Sequence, residues 1–204
     1  MTKTIQFCGD SFCADATPNS WTRILADLLN ASIVGKGVKA SAHEHVFNTY
    51  QPDVTYSVFC WTEANRLYIH DSDFALNEAT ARANKDGSKK LNAAHMYFNH
   101  LSHADYNYKR QSRELFWFDH EVLAKSKTKA IHVFCFKNTY NFITGYTFPK
   151  PLAEMYDYEH RFLDTFQGEP HDAKTVFKNH LTFEDNELFA YEVFDKFNNP
   201  LLFA

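Results

Sequence analysis

The chain has 204 residues, enough for one sizeable domain, with 45% hydrophobic and 17% aromatic residues to fill a core. Its formal net charge of −4, without a long basic run, weighs against a nucleic-acid or anionic-membrane surface. No apolar stretch approaches the roughly 18–20 residues of a membrane span and nothing resembles a signal peptide, so a cytoplasmic location is expected.

Residues 4–8 are short and rich in β-formers and read as a strand that ends at Gly9-Asp10-Ser11. Asn19 or Ser20 can cap a helix over 21–29, which carries Trp21, Ile24, Leu25, Leu28 and Leu29 on one face. A short buried strand over 31–34 is stopped by Gly35 and Gly37. A helix over 41–50 ends at Gln51-Pro52-Asp53, because the residue before proline is pushed out of the helical region. Residues 54–61 are nearly all apolar or β-forming, as a central parallel strand should be. Strand-helix-strand-helix-strand within about sixty residues implies parallel crossovers. The expected fold is a single three-layer α/β/α domain over 1–204. Its doubly wound, mostly parallel sheet would have about five strands in a flavodoxin-like arrangement.

A long helical insertion is expected after the third strand, at about 70–128. Residues 71–88 are polar, with a loop tip at Lys85-Asp86-Gly87-Ser88. From 91 to 125, Ala94, Leu101, Tyr108, Leu115 and Val122 recur every seven residues. Asp105 and Ser112 occupy the alternate seam positions, so one long helix or two broken ones fit better than a coiled coil. A fourth strand over 130–136 follows, with loops around 148–151 and 167–171 and a final helix over 183–197. Phe116-Trp117-Phe118 and Tyr106-Asn107-Tyr108 read mainly as core and helix packing.

Cys8, Cys13, Cys60 and Cys135 contain no Cys-x-x-Cys pair, and three of them fall on or beside strands. They read as reduced structural residues, with Cys13 partly exposed. His43-x-His45 and His100-x-x-His103 have spacings that zinc sites use, but neither belongs to a complete ligand pattern. On a helix the rings of His43 and His45 would diverge by roughly 200°. No metal and no cofactor are therefore expected.

The tripeptide Gly9-Asp10-Ser11 stands where ligands bind in α/β sheets, at the C-terminal end of a strand. Gly9 permits a sharp turn, and Ser11 can present its hydroxyl and its own N–H toward one point. That pairing suits a nucleophile beside an oxyanion donor. With Gly37 after the second strand, a polar segment after the third, and Asn179-His180-Leu181-Thr182 before the last helix, the chain resembles the SGNH/GDSL hydrolase superfamily. The blocks cover nearly its whole length. The resemblance implies a three-layer α/β fold and an acyl hydrolase of the esterase, lipase or carbohydrate acetylesterase type. It implies Ser11 as nucleophile, His180 as general base, and the N–H groups of Ser11 and Gly37 in an oxyanion hole. Asp10 would orient the turn.

Two departures stand out. The family places an aspartate three residues before its histidine, where this chain has Phe177. Asp172 could take that role, or a backbone carbonyl could, leaving a Ser-His dyad. The family's Gly-x-Asn-Asp block is replaced by Cys60-Trp61-Thr62-Glu63-Ala64-Asn65-Arg66. Asn65 is the candidate side-chain oxyanion donor, with Thr62 and Glu63 as alternatives at that place. Arg66 would bind an anionic substrate group or pair with Glu63. The expected substrate is a small ester or acetylated carbohydrate. The competing expectation is a binding or structural protein that keeps the fold without the chemistry.

Overall fold

The computed structural model describes residues 2–68, 89–136, 140–156 and 179–203. Strands β1 (Lys3–Gly9), β2 (Ala31–Gly35), β3 (Tyr56–Trp61), β4 (Lys129–Phe134) and β5 (Tyr146–Thr147) form one sheet in the order β2-β1-β3-β4-β5. Every pairing is parallel. This is the doubly wound, flavodoxin-like order, whose reversal point lies between β1 and β3. The two-residue edge strand β5 was not legible as a strand in the sequence, since so short a run carries no periodicity.

Side chains alternate across the sheet, as the two-residue period of a strand requires. Ile5, Phe7, Tyr56, Val58, Cys60, Ile131 and Val133 face one layer, built from α1 (Trp21–Leu28) and the C-terminal helix, Phe183–Asn198. Cys8, Phe59, Trp61, Ala130 and Phe134 face the other, which receives Val46 of α2 (Glu44–Thr49) and Leu115 from the insertion. Helices on both faces leave the β1–β3 crevice open only at the strand ends, and that position defines where a site can form.

The described part of the insertion is two helices, α3 (Lys89–His100) and α4 (Ala104–Trp117). Phe118–Val122 continues α4 as a π-helical turn. The seven-residue repeat does not form a seam, because Leu101 is 74% exposed at the break while Leu115 is fully buried. Helix α3 makes its own small cluster, in which Ala94 and Phe98 pack with Leu67. The aromatic triplet is likewise divided: Phe118 is buried, but Phe116 and Trp117 are about half exposed. The expectation that the aromatics of this helix are mainly core is corrected at those two positions and at Tyr106, which is also exposed. The short α5 (Leu152–Met155) follows β5, and α6 (Phe183–Asn198) closes the chain.

The local stops act largely as the residue types dictate. Ser20 caps α1 by accepting from the Arg23 N–H. Thr182 caps α6 by accepting from the Asp185 N–H, with Glu184 and Asp185 in the positive first turn. All four cysteines are free and buried, Cys13 included, so its expected partial exposure is corrected. Among the described residues no helix is long and apolar enough to cross a membrane.

Candidate active site

Gly9 ends β1 at φ +154°, and a Cβ there would lie 2.3 Å from the Cys60 carbonyl oxygen. The close approach is to backbone of the neighbouring strand, so no side-chain rotation relieves it. Gly9→Ala is therefore expected to fail to reach the native fold, read as loss of soluble protein or a Tm lowered by ten degrees or more. A Gly35→Ala control, whose nearest neighbour would be the Gln6 Cβ at 3.4 Å, should be far milder.

After Gly9 the chain makes a single 3-10 turn over Ser11–Cys13. Asp10, fully buried, caps that turn: its Oδ1 accepts from the Phe12 N–H at 3.0 Å, and its carbonyl accepts from the Cys13 N–H at 3.2 Å. The expected turn-orienting role of Asp10 is what the geometry displays. Ser11 is left half-buried at the mouth of the β1–β3 crevice, and its N–H makes no hydrogen bond among the described residues.

The histidine arrives from the other end of the chain. His180 Nε2 lies 2.7 Å from Ser11 Oγ, across 169 residues of sequence. Asn179 and His180 both adopt left-handed backbone, at φ +51° and +64°, which turns the ring inward just before α6. Such a conformation survives in non-glycine residues only when the surroundings hold it. Here Asn179 clamps the loop after the nucleophile, accepting from the Asp15 N–H at 2.7 Å and donating to the Asp15 carbonyl at 3.0 Å. Asn186 accepts from the Trp21 N–H at 2.7 Å and donates to the carbonyls of Leu181 and Thr182. The Phe12 ring packs 4.7 Å from the imidazole. Asn179 and Phe12 thus tie the histidine loop to the serine turn and the segment after it, and Asn186 ties it to the start of α1.

The electrostatics favour a neutral imidazole. Burial pushes the His180 pKa below its ordinary value, and the Arg66 and Lys39 charges push the same way against the opposing pull of Asp10. Arg66 is 9% exposed. It places Nη2 3.4 Å from Asp10 Oδ2, donates from Nη1 to the Ser41 carbonyl at 3.1 Å, and donates from Nε to Glu63 at 3.2 Å. Ser41 in turn donates to the Gly9 carbonyl at 3.0 Å. Arg66 is therefore a buried cross-link between the ends of β1 and β3 and the loop after β2. The pairing with Glu63 read from sequence is present, but Asp10 and Ser41 were not foreseeable partners from spacing alone.

The other expected oxyanion residues divide. The Gly37 N–H donates to the Cys13 carbonyl at 3.1 Å, so it is engaged in holding the loop, and its expected role as a donor is corrected. A Cβ on Gly37 would meet the Asp10 oxygen at 2.5 Å and Cys13 Sγ at 2.6 Å, so what this position requires is close backbone approach. Three residues on, exposed Ala40 takes φ +58°, and its N–H makes no hydrogen bond among the described residues. The signal for Ala40 is conformational, and its residue type gives no hint of it. Asn65 is half-buried, and its Oδ1 accepts from Asn107 Nδ2 of α4 at 3.3 Å, which leaves its own amide N–H groups to face elsewhere. The Thr62 hydroxyl is buried without a hydrogen-bond partner among the described residues. Asp172 and Phe177 lie outside the described residues.

Comparison of the chain with family models, with curated proteins and with solved structures finds no match. The site must be argued from its own geometry.

Proposed function

We propose that this protein is a serine hydrolase of the SGNH/GDSL type that cleaves an ester through an acyl-enzyme on Ser11. One observation carries the reading: Ser11 Oγ and His180 Nε2 stand 2.7 Å apart at the topological switch point of a doubly wound sheet. His180 takes the hydroxyl proton as Oγ attacks the carbonyl carbon, then gives it to the departing alkoxide, and the alcohol leaves. A water, deprotonated by the same imidazole, attacks the acyl carbon; the bond to Ser11 Oγ breaks, the imidazolium returns its proton to Oγ, and the acid leaves. The tetrahedral oxyanion is met by the N–H of Ser11, with Asn65 as side-chain donor. A small ester or acetylated carbohydrate is the substrate class that the resemblance implies.

The test is reaction with a fluorophosphonate probe followed by mapping of the labelled peptide. A single adduct on Ser11, lost in Ser11→Ala and in heat-unfolded protein, is the expected result. An unreactive Ser11, with no hydrolysis of short p-nitrophenyl esters, would leave a binding protein that retains the fold.

The lowered pKa of His180 gives a second expectation. A base must be unprotonated to accept the Ser11 proton, so kcat/KM should rise with pH through an apparent pKa below the ordinary imidazole value and then level off. Arg66→Met removes a cation that lowers this pKa while Asp10, which raises it, remains. The acid limb should then move upward toward 6.5, whatever happens to the plateau rate. A limb that stays in place in Arg66→Met would show that Arg66 does not act on the base.

A further inference from the structure

Away from Ser11, a second group of polar side chains joins α2 to the insertion helix α4. His43, at the N-terminal boundary of α2, is 1% exposed. Its Nε2 lies 2.5 Å from Glu114 Oε2, a charge-assisted hydrogen bond from α4. Its Nδ1 faces Glu44 Oε2 at 3.5 Å, and both of these atoms are buried with no hydrogen-bond partner among the described residues. The other Glu44 oxygen lies 3.2 Å from Arg110 Nη1. With the ring proton on Nε2, directed at Glu114, a lone pair on Nδ1 confronts a carboxylate oxygen. Two electron-rich buried atoms held face to face are unfavourable unless something positive lies between them.

We propose that His43 Nδ1 and Glu44 Oε2 are ligands of a divalent cation of the zinc class, with Glu114 fixing the imidazole through its far nitrogen. At metal–ligand distances of about 2.0–2.1 Å, a separation of 3.5 Å between the two ligand atoms subtends roughly 115–120°, close to the tetrahedral angle of zinc. Metal-bound histidines characteristically donate their second ring N–H to a carboxylate, which sets the tautomer and raises ligand basicity. Glu114 is in that position. One ligand atom from each of His43, Glu44 and Glu114 falls within a 4.8 Å cluster. The Glu44 and Glu114 side chains are 17% and 33% exposed, so water can enter to complete the coordination shell. The two ligands are neighbours in sequence and are oriented by Glu114 from a helix 71 residues away, so the His43-x-His45 spacing is not what assembles the site. The ion would act on the insertion only through the His43–Glu114 hydrogen bond, which already joins α2 to α4. It takes no part in acyl transfer.

Calorimetric titration of the full chain with Zn²⁺, and titration with Co²⁺ followed by visible absorption, test the site directly. The expected result is one ion per chain, with the intense visible bands of tetrahedral cobalt. Glu44→Gln should weaken binding at least tenfold, and Glu114→Gln should weaken it by about 10- to 100-fold. His43→Gln should abolish it. If that variant does not fold, the two glutamate variants, whose side chains reach solvent, still decide the matter. Absence of saturable binding would overturn the proposal. So would equal affinity in Glu44→Gln, which would place the ion elsewhere, or a His43 proton titration that Zn²⁺ leaves unchanged, which would mean a proton alone fills the gap. None of these readouts depends on hydrolase activity, so this proposal and the esterase reading can fail separately.

Discussion

Ser11→Ala is expected to lower kcat/KM for a short p-nitrophenyl ester by about 10⁴-fold or more, with the fold intact. The serine side chain is small and half-buried, and its removal leaves the Asp10 cap, the Asn179 clamp and the Arg66 cross-link in place. His180→Ala should cost a similar factor, since an unactivated hydroxyl is a poor nucleophile and an imidazole without one has nothing to deprotonate. The informative measurement is the double variant. Two groups that act as one unit give losses that do not multiply, so Ser11→Ala/His180→Ala should be about as slow as either single change. Losses that multiplied would mean that the two side chains, though in contact, contribute independently. A small residual rate above water is expected from the oxyanion donors and substrate binding. Ester substrates with a thiocarbonyl, a weak hydrogen-bond acceptor, probe the hole without altering the chain.

What was legible in the sequence follows from which interactions are local. Strands β1, β3 and β4 are rich in apolar and β-forming residues because both faces of a parallel sheet are covered, and such runs stand out even with Gln6, Ser57 and His132 inside them. Ser20 and Thr182 are caps whose partners lie three residues away, within the reach of pattern reading. The pairing of Ser11 with His180 was an expectation from the resemblance, and the two side chains do lie 2.7 Å apart, each at an element boundary. The cross-links of Arg66 and Gly37 were not legible, because they depend on partners 24 to 56 residues distant: Ser41 and Asp10 for Arg66, and Cys13 for Gly37. No periodicity encodes such contacts. Ala40 escaped for a different reason. Glycine and asparagine advertise left-handed backbone, and alanine does not, although the loop imposes φ +58° on it. Tyr146 and Thr147 form a strand only because β4 offers a free edge.

The second large effect concerns stability. His132 sits in the middle of β4, fully buried in an aromatic stack with Phe142 at 3.7 Å and Phe59 at 5.0 Å. Its Nδ1 accepts from Trp61 Nε1 at 3.2 Å, and its Nε2 lies 2.9 Å from the Thr144 carbonyl, which it reaches as a donor. One nitrogen accepts and the other donates, so the neutral tautomer is completely satisfied. A second proton would oppose the Trp61 N–H. Burial therefore pushes its pKa down to about 3, against weaker upward pulls from Thr144 and Asp119. In the unfolded chain the same imidazole titrates near 6.5. Between those values the unfolded state binds the extra proton, so unfolding free energy falls as pH falls from 6.5 toward 3. The slope attributable to His132 approaches about 1.4 kcal/mol per pH unit, and the whole window is worth on the order of 5 kcal/mol. Other groups titrate in the same range: His180 and His45 are also depressed by burial, and carboxylates enter below about pH 5. The comparison that isolates His132 is urea denaturation of wild type and His132→Gln at several pH values from 5 to 7. Glutamine supplies both an acceptor and a donor but cannot take up a proton. The variant should be less stable at pH 7, through lost stacking, and the gap should narrow as pH falls, because only the wild type still carries the proton penalty. Parallel curves would mean that His132 is no more depressed in the folded state than in the unfolded one, and the aromatic stack would then not be holding a neutral imidazole.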